Sequence, residues 1–119
     1  MNHLSLELCK RLREAGFPQD SSIFYWVNYN DNSWKLNFDE LKVRPSSVVD
    51  VVACPLAEEI LERLPKAVKD NQRIKIIPHK VPNGWEWAVY YEKLHFIEHE
   101  ILIEALAQMW FWLKKENLI

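Results

Sequence analysis

The chain has only two glycines, Gly16 and Gly84, and they stand far apart. Motifs that cradle phosphates or dinucleotides in a glycine-rich loop are therefore excluded. Cysteine is equally scarce, with Cys9 and Cys54 alone, which make neither a disulfide scaffold nor a four-cysteine zinc site. There is no excess of positive charge: 15 Lys and Arg face 17 Asp and Glu, for a formal net charge of −2. No broad positive field is available to hold a nucleic-acid backbone. The most apolar stretch, 101–113, contains Glu104 and Gln108, and it falls short of the roughly 20 residues that a bilayer crossing needs. The opening Met1-Asn2-His3-Leu4-Ser5-Leu6-Glu7 has no basic segment followed by an apolar run. No export signal is read there, and the expected compartment is cytoplasmic, with both cysteines as free thiols.

What the chain has in quantity is aromatic. Six Trp, four Tyr and five Phe lie among 119 residues, of which 49% are hydrophobic. A chain of this mass buries about two-thirds of its unfolded surface on folding. The expectation is a single α+β domain, 1–119, with a real core.

Local signals divide the chain. Ser5 is placed to cap a helix over 5–15, in which Leu8, Cys9, Leu12 and Ala15 share one side. Gly16 and Pro18 end it. Ile23 to Tyr29 is dense in aromatic and β-branched residues, and Trp34 to Phe38 alternates strictly. The polar run Asn30-Asp31-Asn32-Ser33 between them reads as a hairpin loop. Residues 39–53 are the least legible, although Val48 to Val52 suits a further strand. A second helix begins at Pro55, with Leu56, Ile60, Leu61 and Leu64 on one stripe and Glu58, Glu59 and Glu62 opposite. Arg73 to Ile77 and Trp85 to Glu92 form a second hairpin about Asn83-Gly84. Pro78 and Pro82 push its outgoing strand to a sheet edge. The last helix covers about 98–115. The order is α-β-β-α-β-β-α, an antiparallel sheet of about four to five strands in two hairpins, with helices mainly on one face.

Three groupings carry candidate chemistry. His95-Phe96-Ile97-Glu98-His99 matches the H-x-x-E-H pattern of certain zinc peptidases. On a helix its two imidazoles would share a face and hold one zinc while the Glu activates water. Residues 90–97 look like strand, however, and the plainer reading is a strand-to-helix junction. Arg73, Lys75, His79 and Lys80 form a basic strip, and Trp85, Trp87 and Tyr91 share a strand face that could stack bases. Cys54 precedes a helix, which lowers a thiol pKa when the sulfur meets the helix end; the plainer reading is a small buried residue. The last helix is different. Leu102, Ala105, Leu106, Met109, Trp112 and Leu113 form one broad arc, and Ile103, Ala107 and Trp110 make a second stripe, with Phe111 further round. That surplus predicts an interface through Ile103, Ala107, Trp110 and Phe111, either with a second copy or with another protein.

Two segments, Leu6-Glu7-Leu8-Cys9-Lys10-Arg11-Leu12-Arg13-Glu14-Ala15-Gly16-Phe17-Pro18-Gln19 and Glu104-Ala105-Leu106-Ala107-Gln108-Met109-Trp110-Phe111-Trp112-Leu113-Lys114-Lys115-Glu116, together with Ala53-Cys54-Pro55-Leu56, carry a likeness. In them the chain resembles a group of small proteins encoded by bacteriophages and prophages. The resemblance implies a cytoplasmic accessory protein of a mobile element. It brings no cofactor and no site residue with it. The leading expectation is a non-enzymatic interaction protein. A metal-binding protein or hydrolase using His95, Glu98 and His99 is the alternative, and a nucleic-acid-binding module the second.

Overall fold

A strand in this chain begins wherever aromatic and β-branched residues run together, and a helix wherever the apolar spacing lengthens to three and four. In the computed structural model, which describes residues 3–20, 22–29, 33–38 and 48–119, those two rules produce three helices and two antiparallel sheets. The described residues divide into two compact units, His3–Leu56 and Ala57–Ile119.

The first unit opens with helix α1, Leu6–Glu14. Ser5 caps it as expected, its Oγ accepting from the Leu8 N–H at 3.2 Å. At the other end Gly16 has φ +96°. The Phe17 N–H reaches back to the Leu12 carbonyl at 2.8 Å, and the Gly16 N–H donates to Arg13 at 3.0 Å. This is the Schellman arrangement, and its hydrophobic contact joins Phe17 and Leu12, both buried. Strands β1 (Phe24–Tyr29), β2 (Trp34–Phe38) and β3 (Val48–Cys54) form a sheet of order β2-β1-β3. The register pairs Trp26 with Leu36 and with Val52. α1 packs against β3. Arg13 Nη1 donates to Asp50 Oδ1 at 2.8 Å, and the Lys10 ammonium sits 4.8 Å above the Trp34 ring. That guanidinium holds the Asp50 carboxyl below its ordinary pKa. On the opposite sheet face Tyr25, Val27 and Ala53 are also buried. Central strand β1 thus buries Tyr25 and Val27 on one face, while Phe24 and Trp26 on the other are partly buried. The expected turn at Arg44-Pro45-Ser46-Ser47 lies outside the described residues, as does most of the first hairpin loop.

The second unit holds α2 (Ala57–Arg63), a two-residue strand β4 (Ala67–Val68), β5 (Gln72–Val81), β6 (Gly84–Tyr91), β7 (His95–His99) and α3 (Leu102–Lys115). Its sheet has the order β4-β5-β6-β7. β5 and β6 form the expected hairpin, paired from Ile74↔Tyr91 to Val81↔Gly84. The loop residues are Pro82 and Asn83, with Gly84 beginning the return strand at φ +138°. β4 pairs only the start of β5, which leaves Pro78 on an open edge, as its missing N–H demands. α3 lies on β6 and β7 and beside α2. Tyr91 is fully buried under it and donates its hydroxyl to the Pro65 carbonyl at 2.7 Å.

The α+β class and the two hairpins are present. The strands form two sheets, of three and four strands, where the sequence predicts one of four to five. The difference arises because β3 closes the first sheet against β1, and because β7 comes from residues that precede α3. Helix α3 accordingly begins at Leu102 rather than near Glu98.

The Schellman end of α1 makes a measurable demand. Gly16→Ala introduces a Cβ at φ +96°, so a loss of about 1 kcal/mol is expected by chemical denaturation.

Candidate functional site

The string His95-Phe96-Ile97-Glu98-His99 is strand β7, and strand geometry decides what it can do. Residues two apart share a face, so His95, Ile97 and His99 point to one side and Phe96 and Glu98 to the other. Four strand steps separate the two histidines by about 13 Å, too far for both to reach one zinc ion. Each ring is also occupied. His95 stacks flat on Trp112 of α3, with centroids 4.4 Å apart and an interplanar angle of 1°. His99 Nε2 lies 3.0 Å from Glu104 Oε2. Glu98, on the far face, meets His79 Nε2 at 3.3 Å. The peptidase-like arrangement His95, Glu98 and His99 is not assembled, because the segment is a strand where the motif needs a helix. Among the described residues no group of three or more His, Cys, Asp and Glu is placed to hold a metal ion.

The histidines serve α3 instead. Ile101, at the helix N-cap, has no side-chain acceptor of its own, and its N–H donates to His99 Nδ1 at 2.9 Å. With Nδ1 accepting, Nε2 carries the proton and donates to Glu104, the third residue of the helix. A capping box normally runs straight from such a glutamate to the N-cap N–H. Here an imidazole stands between them. Glu104 also places negative charge where the helix dipole favours it.

The expected interface residues sit differently from the prediction. Ile103, Ala107 and Trp110 are 4%, 0% and 3% exposed. Phe111 is half-buried, edge-on to Trp110 with centroids 6.1 Å apart. The second stripe of α3 is not the free surface that a partner requires. α3 has two neighbours of its own, the sheet and α2, and two neighbours call for two stripes.

The open apolar surface is on the sheet. Ile77 of β5 and Phe96 of β7 are 44% and 50% exposed. Tyr90 of β6 lies directly opposite Phe96 in register, with ring centroids 5.2 Å apart. Lys75 is paired with Tyr90, and Ile77 with Ala88. All these residues lie on the face turned away from α3. Ala88 is itself buried; the His79–Glu98 contact crosses from β5 to β7 beside it, over the strand where only a methyl stands. The sequence carried a sign of this face. Ile76-Ile77, Tyr90-Tyr91 and Phe96-Ile97 are adjacent bulky pairs in three neighbouring strands. In each pair one residue must face out, since a strand turns successive side chains to opposite sides.

The remaining candidates disperse. Arg73, Lys75 and His79 lie on this outward face, while Lys80, Trp85, Trp87 and Tyr91 lie on the other. Tyr91 is buried, and only Trp85, at 64% exposure near the hairpin tip, is open. All of the basic groups but Lys80 are therefore on the face opposite the stacking rings. Glu58 and Glu62 are exposed on α2. Cys9 and Cys54 are both buried and reduced. No protein-family model, curated protein or solved structure matches the chain significantly. No described helix is long and apolar enough to cross a membrane.

Two measurements test this account. Trp110→Ala removes a buried ring and is expected to cost about 3–5 kcal/mol of stability in a denaturant titration, with Phe111→Ala costing less. The second concerns His95, whose pKa burial against Trp112 holds below the ordinary 6.5, partly offset by the Glu116 charge. The unfolded chain therefore takes up a proton before the folded one does. Its contribution is fully present above pH about 6.5 and is lost as the pH falls through the folded value. Thermal melts from pH 7.5 down to 5 should show a drop that shrinks in His95→Gln.

Proposed function

We propose that the chain is a non-enzymatic interaction protein whose docking surface is the outward sheet face of the second unit, and that its partner there is a second copy of the chain. The observation that carries this reading is the open cluster of Ile77, Tyr90 and Phe96. Large side chains left in water on a flat strand surface are the usual anchors of protein interfaces. The charges around them favour a copy of the same face. Arg73 and Lys75 are on β5, while Glu86 and Glu98 are on β6 and β7. A two-fold axis parallel to the strands sets the β5 side of one face over the β7 side of the other, bringing opposite charges together around an apolar centre. The accessory role implied by the likeness of 6–19 and 104–116 to phage and prophage proteins is compatible with such a function, as is a cytoplasmic location.

Neither of the other readings has a comparable observation behind it. The imidazoles of β7 are engaged with α3, and the basic strip apart from Lys80 lies on the face opposite the stacking rings.

Sedimentation equilibrium over a wide concentration range tests the proposal. The wild-type chain is expected to dimerise, and Phe96→Lys or Ile77→Lys to weaken the dimer at least about tenfold. Because both positions are half-exposed, the melting temperature of the monomer should change little. A wild-type chain that stays monomeric throughout, or a dimer indifferent to both substitutions, overturns it.

A further inference from the structure

Two reduced cysteines from distant parts of the sequence meet inside the first unit. Cys9 lies on the buried side of α1, and Cys54 is the last residue of β3; they are 0% and 1% exposed. Both thiols are directed at one acceptor, the Leu4 carbonyl oxygen, which lies 4.0 Å from Cys9 Sγ and 3.7 Å from Cys54 Sγ. The neighbouring Cys54 side chain, together with burial, pushes the Cys9 thiol above the ordinary cysteine range. Such surroundings oppose a metal–thiolate centre, which needs both sulfurs ionised. A disulfide is neutral and apolar, and it suits them.

The neighbours tolerate the loss of two S–H protons. The Leu4 carbonyl also accepts from His3 Nδ1 at 3.0 Å, so oxidation leaves it with a donor. Cys54 borders an apolar cavity of about 40 Å³, lined also by His3, Phe24, Leu36 and Leu56. The sulfur therefore has room to turn.

We propose that Cys9 and Cys54 form a redox pair, closing to an internal disulfide that links α1 to the end of β3 when the chain meets a small-molecule disulfide such as oxidised glutathione. One protein thiolate attacks a glutathione sulfur, which forms a mixed disulfide and releases one glutathione thiolate. The second protein thiolate then attacks the protein sulfur of that mixed disulfide and releases the other. Two protein S–H bonds are lost, one S–S bond is broken and one formed, and the two protons end on two glutathione thiols.

Access sets the pace. Both sulfurs are buried, Cys9 on α1 itself, and α1 is held by the Arg13–Asp50 ion pair and by Lys10 over Trp34. Exchange runs through openings of this helix, so the pair responds slowly and, once closed, resists reversal.

The full chain, incubated in glutathione buffers of graded redox ratio, tests the proposal by denaturing alkylation and mass spectrometry. The expected result is loss of both alkylatable thiols together, a peptide linking Cys9 to Cys54, and no covalent dimer. The oxidised chain should melt roughly 5 °C or more above the reduced one. Asp50→Asn, which loosens α1, should speed the reaction several-fold without altering the product. Glutathione left on a single cysteine, disulfides between chains, or two alkylatable thiols persisting in the most oxidising buffer even after brief mild urea treatment would each refute it.

Discussion

The burial of α3 is the constraint on which the second unit depends. Seven of its fourteen residues are buried, including Leu106, Met109, Trp110 and Leu113. An arc that wide cannot be covered by a sheet alone, and α2 supplies the other wall. The sheet must then turn its Val89, Tyr91 and Ile97 side to the helix. Everything else on those strands is decided by alternation. The imidazoles of β7 go inward with Ile97, where they stack on Trp112 and bridge to Glu104; Phe96 and Glu98 go outward. One docking event thus disposes of a metal-like motif and creates an exposed apolar face.

The first unit follows another logic. In its sheet β1 buries Tyr25 and Val27 on one face and partly buries Phe24 and Trp26 on the other. α1 is fastened at three points along its length: the cysteine pair, Lys10 over Trp34, and Arg13 on Asp50. Only the last two are polar contacts at the surface, where ion pairs contribute modestly. Cys9 shares the buried side of the helix with Leu12, so the chemistry of two sulfur atoms bears on how firmly the helix is held.

Local signals were strong wherever a single short-range rule governs. Ser5, Gly16, the alternation of 34–38 and the edge position of Pro78 could all be read from neighbouring residues. The wide arc of α3 was legible too, but its meaning was not. Ile103, Ala107 and Trp110 look like surplus until α2 is placed beside them, and nothing in a linear pattern announces that neighbour. The same blindness hid the sheet face. Ile77 and Phe96 lie in runs whose partner strands are set by register, and register is a tertiary fact. His99 shows a third kind of gap: a side chain that joins the N-cap N–H to Glu104 obeys no standard capping spacing.

Pro78 has a consequence for how copies of the chain can meet. β5 and β7 each offer one long side without a sheet neighbour among the described residues. Adding a strand at β5 would meet a proline with no N–H to give, and charged side chains at Arg73, Lys75 and Lys80. Within this sheet only β7 presents an uninterrupted ladder among the described residues. Growth from one edge of this sheet cannot continue from the other, so strand-by-strand association through the second unit's sheet stops at two chains.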